Sequence, residues 1–209
     1  NIAEKLDAPV ACGYQHNDSF PGKHPLAVGP LGYNGSKAAM EIISKADVVL
    51  ALGTRLNPFS TLPGYGIDYW PKEAKIIQVD INSDRIGLAK KISVGICGDA
   101  KLVAKQILGQ LSSTAGDDGR EDRKALIHQT KSSWLQTLTS LDHEEDDEGT
   151  SWNKDSRERD PNRMSPRMAW RAIQAGLPEN AIISSDIGNN CAIGNANPTF
   201  EQGRKYLAP

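Results

Sequence analysis

The residues best suited to chemistry stand together near the end of the chain, in Asp186-Ile187-Gly188-Asn189-Asn190. A β-branched pair, Ile182–Ile183, runs through Ser184–Ser185 into this group, so a buried strand delivers it at its carboxyl end. Open α/β sheets place their ligands at that end. Gly188 admits close backbone approach, and successive amides in such a turn form a nest for phosphate oxygens. Asn189 and Asn190 add neutral donors. The same residues also fit an Asx-turn that leads into the next helix.

Other groups are weaker candidates. Gly53-Thr54-Arg55 closes an apolar run and could present an amide and a cation to a phosphate, or form a turn whose Arg pairs at a subunit contact. The three glycines of "GPLGYNG", Gly29 to Gly35, lack the dinucleotide spacing and read as a tight turn before a helix. Asp80 stands where a dinucleotide fold reads a ribose hydroxyl, but no fingerprint precedes it, so a loop-capping carboxylate is the preferred reading. His16 and His24 lack the spacing of a metal pair, and no carboxylate completes a triad. We expect no metal site on this chain.

Stepping outward to the elements, Pro9–Cys12 reads as a strand and the residues from there through Gly35 as a loop. "GSKAAMEIISKAD" carries Ala38, Ala39, Ile42, Ile43 and Ala46 at helical spacing, with Asn34 or Ser36 as cap. "DVVLALG" is a continuous apolar run, which predicts a strand buried on both faces. "AKIIQVDI" repeats it from Lys75 to Ile81, "VGICGDA" gives a shorter strand, and Asp99 caps the helix in "AKLVAKQILGQL". Strand alternating with helix predicts an α/β fold with a Rossmann-like parallel sheet.

After Leu111 comes a polar break, then a helical pattern through Ala125, Ile127, Trp134, Leu135 and Leu138. The charged run "DHEEDDEGTSWNKDSRERDPNR" reads as a solvated linker, because it offers almost no aliphatic surface to bury. Ser165-Pro166 then starts a helix, and "AIISSDIGNN" follows as the first strand of a second α/β unit. The expected division is 1–112, 113–163 and 164–209. "NIAEKLDAPV" reads as the last turn of a helix followed by a strand, so we expect further sequence upstream.

Composition narrows the function classes. A net charge of -2, with four Trp and five Tyr spread away from basic clusters, gives no nucleic-acid surface. No apolar stretch approaches the roughly 20 residues that span a bilayer. Cys12, Cys97 and Cys191 are far apart and odd in number, which fits a reducing, cytoplasmic setting. Each reads as a small buried apolar residue.

The longer stretches "HPLAVGPLGYNGSKAAMEIISKADVVLALGTRLNPF" and "KIIQVDIN" resemble the central domain of thiamine-diphosphate enzymes of the acetolactate synthase and pyruvate oxidase superfamily. "MSPRMAWRAIQAGLPENAIISSDIGNNCAIGNA" resembles the opening of their diphosphate-binding domain. "GYQHNDSFPGKHPL", "RLNPFSTLPGYGIDYWP" and "MSPRMAWRAIQ" resemble an acetyl-transferring branch that degrades sulfonates such as taurine.

The resemblance implies thiamine diphosphate and Mg²⁺ as cofactors, sulfoacetaldehyde and phosphate as small-molecule substrates, and a homo-oligomer. Acetyl phosphate and sulfite would be the products, with the cofactor as electron sink. It also implies diphosphate contacts from Ile187, Gly188, Asn189 and Asn190, where relatives often carry Gln-His in place of Asn-Asn. The Mg²⁺-holding segment would follow Pro209, and the activating glutamate would belong to a preceding domain, so no catalytic residue is expected here. Flavin-binding relatives continue the Gly53-Thr54-Arg55 strand with an acidic segment. Here Leu56-Asn57-Pro58-Phe59 replaces it, and FAD is not expected. The alternatives are another acyl-transferring member of the superfamily, or a non-catalytic nucleotide-binding domain.

Overall fold

Parallel pairing joins the strands of the described residues. The computed structural model describes residues 1–111, 119–143, 164–186 and 188–207, and the side chains of 141–143, 189 and 190 lie outside that description. The first helix, α1 (Ile2–Leu6), precedes β1 (Val10–Cys12), which pairs in parallel with β2 (Ala27–Pro30). Then come α2 (Lys37–Ile43), β3 (Val48–Leu52), α3 (Pro58–Thr61), β4 (Lys75–Asp80), β5 (Val94–Cys97) and α4 (Ala100–Gln110). After α5 (Arg120–His143) follow α6 (Pro166–Gly176), β6 (Ile183–Ser184), α7 (Asn189–Ala196) and β7 (Tyr206–Leu207).

The fold is mixed α/β, and among the described residues its strands lie in three parallel pieces: β1-β2, β3-β4-β5 and β6-β7. The second keeps an unbroken register from Val48↔Lys75 to Leu52↔Val79, and β4 is its central strand. Ile76 and Val79 of β4 are accordingly almost wholly buried.

Two expectations are corrected here. The Val48–Leu52 run is not buried on both faces, since Val48 is 50% and Leu52 38% exposed. It lies at the outside of its piece of sheet, with Ala51 in the small core beside Leu56 and Ile76 and Val49 packed against it. An unbroken apolar run reports composition, and strand order decides how much of it is covered. Second, the stretch read as loop through Gly35 contains β2. Its four residues include Gly29 and Pro30, which give no alternation and no strong strand propensity.

Capping by Ser36, Asp99 and Ser165 was legible in the sequence, whereas the cap at Asn57 was not read there. Ser36, Asn57, Asp99 and Ser165 each accept a hydrogen bond from a first-turn amide, at Ala39, Ser60, Leu102 and Met168 respectively. Of the two caps considered for α2, Ser36 serves. Ala39, Met40 and Ile42 of α2 then pack with Leu26, Val28, Leu31, Tyr69 and Ile127 of α5 in the main core. Helix α5 also reaches α1, where Arg120 and Arg123 donate to the Lys5 and Leu6 carbonyls at 3.0 and 3.1 Å. Those cations complement the negative end of a short helix.

Cys12 and Cys191 are buried as expected, whereas Cys97 is exposed because it ends the outer strand β5.

Gly32 is the tightest point of the frame. It has φ of +83°, and a Cβ there would lie 1.9 Å from the Phe59 carbonyl oxygen. The neighbouring Tyr33 amide donates to that oxygen at 2.9 Å, clasping the loop before α2 to α3. Gly32→Ala is expected to destabilise the fold by roughly 2–4 kcal/mol, read from urea unfolding. A loss below about 0.5 kcal/mol would mean that the clasp does not exist in solution.

Candidate functional site

Strand β6 delivers Ser184 and Ser185 to the start of α7, and the short turn between them carries the candidate residues. Gly188 is the N-cap of α7 and takes φ 101°, ψ −158°, a conformation that only glycine adopts without strain. It is exposed, and a Cβ built on it would meet nothing within 4 Å. The constraint on this position is therefore one of backbone angle.

Unlike α2, α3, α4 and α6, α7 has no side-chain hydrogen bond at its N-cap. The first-turn amides and the positive dipole end of a helix N-terminus suit an anionic ligand. Ile187 lies outside the described residues. Asn189 and Asn190 are placed in the first turn of α7, while their side chains lie outside the description.

Behind the turn, α7 presents a buried polar face. Cys191 and Asn195 are 4% and 1% exposed, and the Asn195 amide donates to Cys191 Sγ at 3.3 Å. Tyr206 of β7 is buried, and neither its hydroxyl nor Asn195 Oδ1 finds a hydrogen-bond partner among the described residues. Burial pushes the phenols of Tyr206 and Tyr14 up, opposed by the nearby Ser185 and Asn195 side chains respectively and helped by Cys191, so both stay neutral.

The remaining candidates are placed by local bonding. Gly53 donates to the Val79 carbonyl, Thr54 Oγ1 accepts from the Leu56 amide, and the Thr54 carbonyl accepts from Gln78. That turn is bonded into its own sheet, with Arg55 exposed beside it. Asp80 is buried and accepts from the Asn82 amide at 2.9 Å, which is the loop-capping role. His24 accepts from the Leu26 amide through Nδ1 and lies 3.5 Å from Glu4 through Nε2. No group of three His, Cys, Asp or Glu residues gathers to hold a metal among the described residues. Among the same residues no helix is long and apolar enough to cross a membrane.

The sequence reading missed what Asn17 and Asp18 do. Both are buried, and both hold the segment that carries β7. Asn17 Nδ2 donates to the Pro198 carbonyl at 2.8 Å, and Asp18 Oδ2 accepts from the Lys205 and Tyr206 amides at 2.8 and 3.1 Å. No periodicity marks them. The one available signal was an Asn-Asp pair inside a loop of otherwise turn-forming residues.

Comparison with known proteins adds identity to this geometry. The family described as "Thiamine pyrophosphate enzyme, central domain" matches residues 1–107. A protein named "Probable sulfoacetaldehyde acetyltransferase" from Rhizobium meliloti (strain 1021) is 78% identical over 208 residues, covering 100% of this chain and 35% of that protein. "Sulfoacetaldehyde acetyltransferase" from Roseovarius nubinhibens is 75% identical over 208 residues, covering 100% of this chain and 34% of its own length. A "Probable acetolactate synthase large subunit" from Methanococcus aeolicus is 28% identical over 189 residues, 90% of this chain and 30% of that one. The chain thus spans about a third of the length of the curated relatives it matches.

The unbonded hydroxyl behind α7 makes its own prediction. Tyr206→Phe removes a buried polar atom without a partner and keeps the ring, so stability is expected to hold or rise by about 0–1 kcal/mol. Thermal unfolding checks it, and a loss beyond about 1.5 kcal/mol would show that the hydroxyl is hydrogen-bonded in solution.

Proposed function

The chain belongs to the thiamine pyrophosphate enzymes through their central domain, and on that premise we propose that it forms part of a sulfoacetaldehyde acetyltransferase. Such an enzyme converts sulfoacetaldehyde and phosphate to acetyl phosphate and sulfite, a step of taurine and sulfonate degradation. The observation that carries the reading is identity of 68–78% across the whole chain to three relatives whose names state that activity. Similarity to acetolactate synthases is far lower, at 28% for the relative from Methanococcus aeolicus. Two thirds of the relatives' length has no counterpart in the 209 residues, so the complete enzyme includes more than they provide.

In this reading residues 1–112 are the central domain, 113–163 a connecting segment and 164–209 the start of the diphosphate-binding domain. Thiamine diphosphate, accompanied by Mg²⁺, supplies the electron sink when bound. The chain's own contribution is to hold the diphosphate. The N-terminal turn of α7 supports that role: it follows a parallel strand, and its N-cap is Gly188, whose positive φ and missing side chain allow close backbone approach. Ile187, Gly188, Asn189 and Asn190 are the residues we assign to it. The working protein is a cytoplasmic homo-oligomer in the same proposal.

The test uses the complete enzyme. Sulfite release that depends on sulfoacetaldehyde, phosphate and thiamine diphosphate is the expected activity. Acetolactate formation from pyruvate without sulfite release would overturn the assignment in favour of the more distant relatives. For the loop, Gly188→Val is expected to raise the thiamine-diphosphate KM by about tenfold or more, because a branched residue resists positive φ. Asn190→Ala is expected to cost less, about 1–2 kcal/mol in cofactor affinity if one hydrogen bond to a charged group is lost. A folded Gly188→Val enzyme with unchanged cofactor affinity would reduce the loop to a connector.

A further inference from the structure

Asp18 is a buried carboxylate in a loop, 7% exposed, and a buried charge persists only where hydrogen bonds compensate its lost hydration. Its Oδ2 accepts from two successive backbone amides, Lys205 at 2.8 Å and Tyr206 at 3.1 Å. Bonds of this kind to an ionised acceptor are among the stronger ones in proteins. β7 is a strand of only two residues, Tyr206–Leu207, and cannot hold itself in place.

The consequence runs straight to the candidate site. The Lys205 carbonyl accepts from the Ile183 amide at 2.8 Å, and the Leu207 carbonyl accepts from the Ser185 amide at 2.9 Å. Ser185 is therefore tied to β7, one residue before the turn begins. On the other side of the turn, α7 ends near Pro198, whose carbonyl is held by Asn17 Nδ2 at 2.8 Å. Further along, the Gly22 amide donates to the Phe200 carbonyl at 2.8 Å and the Lys23 amide to Glu201 Oε1 at 3.1 Å. Both flanks of the turn hang from one loop of the central domain.

We propose that the loop around Asn17 and Asp18 is a clasp that sets the position of the diphosphate-holding turn, with Asp18 as its positioning residue. This rests on the assignment of residues 187–190 to the diphosphate. The clasp puts the affinity of the second unit's cofactor turn under the control of a side chain in the first. The acceptor oxygen matters more than the charge itself, since the two amides need an oxygen at that point.

The experiment compares Asp18→Leu, Asp18→Ser and Asp18→Asn in the complete enzyme, with Gly188→Val as the control for the turn. Two quantities are read: hydrogen exchange at the Lys205 and Tyr206 amides, and the KM for thiamine diphosphate against kcat at saturating cofactor with Mg²⁺. Asp18→Leu is expected to speed exchange at both amides by about tenfold or more. It should raise the cofactor KM by a similar factor of about ten, with kcat falling much less. Asp18→Asn can place its carbonyl oxygen where Oδ2 stood and should stay within about threefold of the parent. If Asp18→Leu does not fold, the shorter Asp18→Ser, which leaves room for water, carries the same expectation.

If the amides lose protection while the cofactor KM stays unchanged, the clasp does not position the turn and the proposal falls. It falls equally if Asp18→Asn is as damaged as Asp18→Leu, because the oxygen would then not be the operative feature. A Gly188→Val enzyme with normal cofactor affinity overturns both the turn assignment and the clasp built on it. An affected Gly188→Val beside unaffected Asp18 variants overturns the clasp alone.

Discussion

The hydrogen bonds from Lys205 and Tyr206 to Asp18 join residues 187 and 188 positions apart in sequence. They are the constraint on which the end of the chain depends. A two-strand parallel piece such as β6-β7 has little ladder to stabilise it, and parallel pairs require a crossover between their strands. Here α7 is that crossover, running from the turn after β6 back toward β7. The buried carboxylate fixes β7, β7 fixes Ser185, and Ser185 leads into the turn.

The same logic explains the glycines on either side of this junction. Gly32, at φ +83° and without space for a Cβ, lets the loop before α2 close on α3. Gly188, at φ +101° with open space around it, does the opposite. The first is needed because neighbouring backbone fills the space a side chain would take. The second takes a backbone angle that only glycine adopts without strain, at the point where the chain enters α7. One glycine is required by packing and the other by backbone angle.

Local features were legible in the residues, and long-range ones were not. Ser36, Asp99 and Ser165 could be named as caps because a cap depends on side-chain oxygens three residues from the amides they satisfy. Strands β3, β4 and β5 were visible as β-branched runs, and the family's central domain was visible in the longer motifs. By contrast, β2 hid inside a Gly- and Pro-containing stretch, and the exposure of Val48, Leu52 and Cys97 followed from strand order, which no run of residues encodes. The candidate turn was read from Asp186, Gly188 and the two asparagines. Asn17 and Asp18, which hold that turn from far away in sequence, carried only the composition of an ordinary surface loop.

The central claim is that the N-terminal turn of α7 receives the cofactor's diphosphate. Hydrogen exchange on the complete enzyme, with and without saturating thiamine diphosphate and Mg²⁺, tests it most directly when read on peptides covering 186–192 and 53–57. Binding is predicted to slow exchange in 186–192 by about tenfold or more and to leave 53–57 near its unbound rate. Unchanged exchange in 186–192 at saturating cofactor, with protection at Gly53-Thr54-Arg55 instead, would contradict it.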